Sequence, residues 1–167
     1  MNLRDQELKT VYLRPGEIYI ARDEPTMVTT VLGSCISVSM FNRRPNVAAI
    51  CHGLLPRCRD KKVCDGTCFE GSRYVECAIR HMLSRFLSFG IQRSEIQVKL
   101  FGGSDMFELK SPASISVGKQ NIEIAMKVIG DEGLTLVSSD VGGPLGRKIL
   151  FHTQTGEVLL KRQKDIK

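Results

Sequence analysis

Residues 29–56 read TTVLGSCISVSMFNRRPNVAAICHGLLP, and the fold is decided by how this stretch pairs with itself. Residues 36–41 (ISVSMF) alternate large apolar side chains with serine, and residues 47–51 (VAAIC) form a second short apolar run, so both read as strands. The intervening NRRPN is turn chemistry, which joins them as an antiparallel hairpin. A turn centred on Arg44 places Ile36 across from His52, with Cys35 beside it. Gly33, Ser34 and Cys35 lead into the first strand of this hairpin and Cys51, His52 and Gly53 end the second, so spacing alone brings a thiol and an imidazole together at its open end.

That pair has a specific chemical use. A thiolate is a nucleophile, and an imidazole within hydrogen-bond reach removes the thiol proton and later protonates a leaving amine. The Gly33-Ser34 turn leaves backbone N–H groups to meet a developing oxyanion, and Gly33 permits a backbone that a Cβ would resist. The same residues also fit a plain structural role, with Cys35 as a small buried hydrophobe and His52 as a hydrogen-bonded strand histidine.

Outward from the hairpin, residues 17–21 (EIYIA) and 27–32 read as strands, with a weak apolar segment at 11–13 before Pro15-Gly16. Threonines 29 and 30 stand on the second of these strands and point to opposite faces. Residues 72–89 carry Val75, Ala78, Ile79, Met82, Leu83 and Phe86 at helical spacing, with Glu76 and Arg80 on the other side and Gly90 as the stop. Cys77 and His81 share this helix and read as a flank pair. Residues 96–101 form a strand ending at Gly102 and Gly103, which signals a tight turn or a close approach of another backbone. A second, shorter helix is expected over 121–131, a strand over 134–138, a glycine loop over 140–146, and a final hairpin pairing 148–152 with 157–161. Asp140 suits either orientation of an imidazole or loop capping, and His152 reads as a surface histidine.

This order predicts one α/β (α+β) domain over residues 1–167, with mixed β-sheets and not a regular βαβ repeat. Residues 1–10 and 163–167 read as flexible tails. Residues 57–69 (RCRDKKVCDGTCF) read as a cysteine-rich loop, with Cys58, Cys64 and Cys68 spaced C-x5-C-x3-C and Cys51 close before them. Free thiols, a metal site and redox pairing all fit the loop, although the C-x2-C knuckle common to zinc sites is missing. No metal is expected there, and Cys58, Cys64 and Cys68 are the candidates if one binds.

Four segments resemble the CheD family of chemoreceptor glutamine deamidases. The first is the run from Thr29 to Cys35 with His52 seventeen residues after the cysteine. The others are Phe101-Gly102-Gly103-Ser104-Asp105-Met106-Phe107, Val117-Gly118-Lys119-Gln120-Asn121-Ile122, and the run from Asp140 to Ile149 (DVGGPLGRKI). The resemblance implies a sandwich-like core flanked by helices, a fold shared with bacterial toxins that deamidate glutamine. It implies hydrolysis of receptor glutamine side chains to glutamate, with Cys35 as nucleophile, His52 as base and acid, and Thr29 in the active site by ungapped counting. Gly33 and Ser34 then supply oxyanion donors, Gly102 and Gly103 shape the substrate groove, and no cofactor is needed. The implied partners are methyl-accepting chemotaxis receptors and a CheC-class response-regulator phosphatase. Two other functions stay open at this point: an adaptor with little catalysis that binds both partners, and a metal or redox sensor built on the Cys51 to Cys68 cluster.

Composition narrows the classes further. The chain has 167 residues, a mean hydropathy of −0.08 and 42% hydrophobic residues, which suits a soluble globular domain with a full core. No apolar run is long enough to span a bilayer, and the charged start MNLRDQELKT is unlike a signal peptide, so a cytoplasmic protein without membrane insertion is expected. The net charge of +6 favours an acidic partner surface. Lys and Arg are scattered without an aromatic platform, so nucleic-acid binding is not expected.

Overall fold

A computed structural model describes residues 8–58, 71–105 and 115–164. Among these residues nine strands and two α-helices follow one another as β1 Lys9–Tyr12, β2 Ile18–Arg22, β3 Thr26–Leu32, β4 Ile36–Asn42, β5 Val47–Cys51, α1 Val75–Ser88, β6 Gln97–Gly102, α2 Val117–Asp131, β7 Thr135–Val141, β8 Gly146–His152 and β9 Val158–Gln163. They build two mixed sheets, one ordered β1-β3-β8-β9 and the other β2-β5-β4-β6-β7. This is the α/β class with mixed sheets that the sequence predicts. Lys9 and Thr10, read as tail, pair in parallel with Thr26 and Met27 in the first sheet.

Three layers follow from where the apolar side chains point. Leu13, Val28, Leu32, Ile149 and Phe151 of the four-stranded side meet Phe41, Ala48, Ile50 and Phe101 of the five-stranded sheet. The other face of that sheet, with Ile36, Val38, Met40, Val47, Ala49, Cys51, Val98 and Leu100, packs on α1 and α2. The five-stranded sheet is therefore the middle layer, and every residue of β4 and β5 is buried. The serine alternation of β4 does not mark a wet face. Ser37 and Ser39 are buried against the first sheet, small enough for close packing, and Ser37 Oγ donates to the Cys51 carbonyl at 2.7 Å, which removes the cost of burying it.

The β4–β5 hairpin forms, but its register is one residue away from the expected one. Asn42 pairs with Val47, leaving a four-residue loop whose centre lies between Arg44 and Pro45, and Ile36 comes opposite Gly53 instead of His52. One residue decides the face, because side chains alternate across a strand. With Ile36 opposite His52, the imidazole would share the helix-side face with Ile36. The observed register turns His52 toward the first sheet, where Cys35 also packs.

Helix α1 buries the predicted stripe of Val75, Ala78, Ile79, Met82, Leu83 and Phe86. Glu76 departs from its expected solvent position. It is buried and sits between Arg57 at 3.3 Å and Arg80 at 3.5 Å, with Arg80 also paired to Glu132, so its charge is compensated from two sides. Helix α2 begins at Val117, four residues before the expected start, capped by Ser116 whose side chain accepts from the Lys119 N–H. Its early turn holds Gly118, a poor helix former that hides the helix in the sequence. A Cβ there would lie 2.5 Å from the Ser104 carbonyl oxygen and 2.6 Å from that of Gly103, so only glycine lets the helix lie directly on that backbone.

Candidate active site

The chain crosses between the two sheets at Gly33-Ser34-Cys35, since β3 belongs to the first sheet and β4 to the second. The crossing leaves Ser34 exposed and Cys35 half-buried, while His52 just past the end of β5 is only 2% exposed. The main-chain pair Ile36 N–H to Gly53 O (2.9 Å) and Gly53 N–H to Ile36 O (2.8 Å) ties the two segments together. Cys35 and His52 are then diagonal neighbours on one face, a spacing that long side chains bridge. Among the described residues no hydrogen bond engages the Cys35 thiol. Burial is the one influence on its acidity and raises its pKa, so the resting group is a neutral thiol.

The first sheet fixes the histidine. Thr30 Oγ1 lies 2.7 Å from His52 Nδ1 and donates to the Leu13 carbonyl, also at 2.7 Å. A hydroxyl has one hydrogen, and a carbonyl cannot donate, so the Thr30 hydrogen goes to Leu13 and Nδ1–H must donate to Thr30. The tautomer follows: Nε2 carries a lone pair and no proton. Burial also pulls the His52 pKa down to about 4, with the Leu13 carbonyl and the charge of Glu17 opposing weakly. The imidazole is neutral, oriented and able to accept a proton at Nε2.

Ungapped counting selects Thr29, whereas the structure puts Thr30 on the histidine. Thr30 shares the inner face of β3 with Val28 and Leu32 in strict alternation, and Thr29 faces the other way. Thr29 Oγ1 is buried without a hydrogen-bond partner among the described residues. The inward parity of Leu32, the last residue of β3 and two places after Thr30, was the signal that distinguishes them.

The turn is held from behind. Ser104 N–H donates to the Gly33 carbonyl and Gly103 N–H to the Cys35 carbonyl, each at 2.9 Å, and Asn121 Nδ2 donates to the Ser34 carbonyl at 2.9 Å. The N–H of a trans peptide points away from its carbonyl. With the Gly33 and Ser34 carbonyls directed inward, the N–H groups of Ser34 and Cys35 face outward, and among the described residues neither donates to another group. Gly102 and Gly103 thus support the turn instead of lining its open side. Both have positive φ (103° and 67°), and a Cβ on Gly102 would strike the Cys35 carbonyl.

Asp140 does not orient the histidine. Its carboxylate binds Arg147 Nε at 2.6 Å and Arg162 at 2.7 Å. Buried Arg147 gives three of its four remaining N–H groups to the carbonyls of Gly142 (2.6 Å), Gly102 (3.3 Å) and Leu145 (3.4 Å). It therefore ties the Gly142 turn to the Gly102–Gly103 turn, whose Gly103 N–H holds the Cys35 carbonyl. Sequence reasoning missed the structural work of Thr30, Ser104, Asn121 and Arg147, although all four stand inside the motifs quoted above.

Cys51 is fully buried in the helix-side core, where desolvation pushes its thiol up to about 12. Cys58 is half-buried, and Cys64 and Cys68 lie outside the described residues. Among the described residues, no three His, Cys, Asp or Glu side chains gather as for a metal ion. No described helix is long and apolar enough to cross a membrane.

A family model described as CheD chemotactic sensory transduction matches residues 54–162. A protein of Geobacter sulfurreducens named probable chemoreceptor glutamine deamidase CheD 2 is 49% identical over 162 residues, covering 97% of this chain and 95% of its own length. That alignment takes in the thiol and imidazole segment, which the family model does not reach. Proteins named probable chemoreceptor glutamine deamidase CheD from Maridesulfovibrio salexigens and Methanococcus maripaludis strain C6 are 36% and 30% identical, over 97% and 93% of this chain and 96% of each of them. The chain belongs to the CheD family.

Proposed function

We propose that this chain hydrolyses glutamine side chains of methyl-accepting chemotaxis receptors to glutamate through a thioester on Cys35. The observation that carries the mechanism is the tautomer set by Thr30, which leaves His52 Nε2 as a base on the same face as Cys35. His52 Nε2 removes the thiol proton as Sγ attacks the carboxamide carbon, and the outward N–H groups of Ser34 and Cys35 bind the oxyanion. The carbon–nitrogen bond then breaks, and the proton on Nε2 passes to the leaving nitrogen, which departs as ammonia. Water, deprotonated by the same Nε2, attacks the thioester and expels the thiolate, which regains its proton. One water is consumed and one ammonia released per glutamine, without a cofactor.

The relatives' names speak of chemoreceptors, and the resemblance adds a CheC-class phosphatase, which we place as a second partner on the receptor-facing surface around Cys35. The same reading puts the chain in the cytoplasm. Ammonia release from a purified receptor signalling fragment tests the activity directly: turnover that scales with enzyme supports it, and a rate equal to the enzyme-free background refutes it.

Two expected results distinguish this mechanism from others. Thr30→Val removes the acceptor of Nδ1–H, frees the ring to rotate or change tautomer, and lowers kcat at least about tenfold, whereas Thr29→Val stays within about twofold. Equal effects of the two substitutions on initial rates would show that the threonine contact is not used. The pH profile is the second. A base must be neutral to act, and burial lowers the pKa of His52, so the acid limb of kcat/KM moves down from the usual histidine range to near 4. Activity should stay level from about pH 5.5 to 8, and an acid limb at 6 to 7 would contradict a buried neutral base.

A further inference from the structure

We infer that Asn121 is a positioning residue that aims the Cys35 N–H at the oxyanion. Beyond the Ile36–Gly53 pair, an antiparallel ladder would next join Ser34 to Leu55. The segments part instead. The N–H groups of Leu54 and Leu55 both donate to the Arg73 carbonyl, at 2.9 and 3.3 Å, and the Leu55 carbonyl accepts from Val75 N–H at 2.8 Å. This opening is what frees the Ser34 N–H, and it also strips the Ser34 carbonyl of its strand partner.

Asn121 fills the opening. Its Nδ2 donates one hydrogen to the Ser34 carbonyl at 2.9 Å and the other to the Leu54 carbonyl at 3.0 Å, and the residue is fully buried. Two carbonyl oxygens facing each other require a group with two hydrogens and no lone pair between them. The amide nitrogen meets that need, which also fixes which way the amide is turned. The cost is visible: Asn121 Oδ1 is buried with no partner among the described residues. The helix can hold the amide there because Gly118, one turn earlier on the same face, rests on the Gly103–Ser104 backbone.

The consequence lies in one peptide plane. The Gly33 and Cys35 carbonyls are held by backbone donors of the Gly103–Ser104 turn, but among the described residues the Ser34 carbonyl has Asn121 alone. That carbonyl shares its plane with the Cys35 N–H, so releasing it lets the plane rotate and the donor turn away. Loss of one oxyanion donor costs roughly 10²–10³ in kcat elsewhere.

The kinetic test rests on the deamidase reading. With wild-type protein turning over a receptor fragment, Asn121→Ala should lower kcat about 10²-fold with KM within about twofold. Alkylation of Cys35 by iodoacetamide, which develops no oxyanion, should be unchanged. Asn121→Asp, isosteric but with at most one O–H for two carbonyls, should also lower kcat. A kcat within threefold of wild type, or an equal loss in alkylation, would overturn the inference. If the alanine variant does not fold, Asn121→Ser is measured in its place against the same limits. If wild-type protein shows no turnover, the deamidase reading falls by itself, and amide hydrogen exchange decides the clamp. Exchange at Ile36 and Gly53 should then rise at least about tenfold in Asn121→Ala while the rest of β4 and β5 is unaffected, and no selective rise would overturn it.

Discussion

Cys35→Ala is expected to reduce receptor deamidation by at least about 10⁴-fold, to the background of the assay, while the protein stays folded. The size of the loss follows from what remains. Thr30, His52 and the turn N–H groups are all present in the variant, but none is a nucleophile, and His52 would have to activate water against an amide with no covalent intermediate to divide the barrier. The fold survives because Cys35 is half-buried at the crossing between sheets and removing one sulfur opens no enclosed cavity. A melting temperature within a few degrees of wild type is expected, for a change of about 1 kcal/mol or less. Full activity in this variant would remove Cys35 from the mechanism.

His52→Gln is expected to cost about 10²–10⁴ in kcat, the range in which a positioned acid–base contributes. Glutamine keeps an N–H for Thr30 Oγ1 and fills much of the volume, so the result reports on proton transfer more than on packing. Its pH dependence is the sharper part. Burial raises the Cys35 pKa, so without a base the thiolate is scarce at neutral pH and the residual rate should climb steadily as pH rises. Wild type should be level over the same range. Stability should respond as well. The folded His52 pKa of about 4 lies below the ordinary 6.5, so the unfolded chain takes up a proton that the folded one does not as pH falls from 6.5 to 4. Wild type therefore loses stability across that window, and His52→Gln should lose less. Parallel pH profiles of rate for the two proteins would argue against His52 as the base.

These expectations rest on elements that differed in how plainly the sequence carried them. The β4–β5 hairpin was legible because two apolar runs flank a stretch of turn residues, and α1 because six apolar side chains repeat at helical spacing. The register was less so, since a turn centre half a residue further on moves every partner by one. The choice between Thr29 and Thr30 needed the inward face of β3, and counting from the cysteine ignores parity. Gly118 hid the first turn of α2 because its role is contact with a backbone far away in sequence. Glu76 looked like a surface residue because, besides Arg80 one turn on in the same helix, its other partner Arg57 comes from outside the helix. Asn121 stood inside a quoted motif, yet its partners lie 67 and 87 residues away and no local pattern names it, whereas Arg147 has Asp140 within its own motif and only its bond to Gly102 is distant.

The same geometry explains why a short connection between two sheets suits this chemistry. Its carbonyls are taken by Ser104, Asn121 and Gly103, its Ser34 and Cys35 N–H groups have no acceptor among the described residues, and the histidine is supplied by the adjacent strand end with its tautomer set from the opposite sheet. The parts come from both layers, so the packing of the sandwich itself keeps them aligned.

The most direct measurement is peptide-mapping mass spectrometry of a purified receptor signalling fragment incubated with this chain and, side by side, with Cys35→Ala. Conversion of specific glutamines to glutamates by the unmodified chain, and none by the variant, is the predicted result. Conversion by both proteins, or by neither, would contradict it.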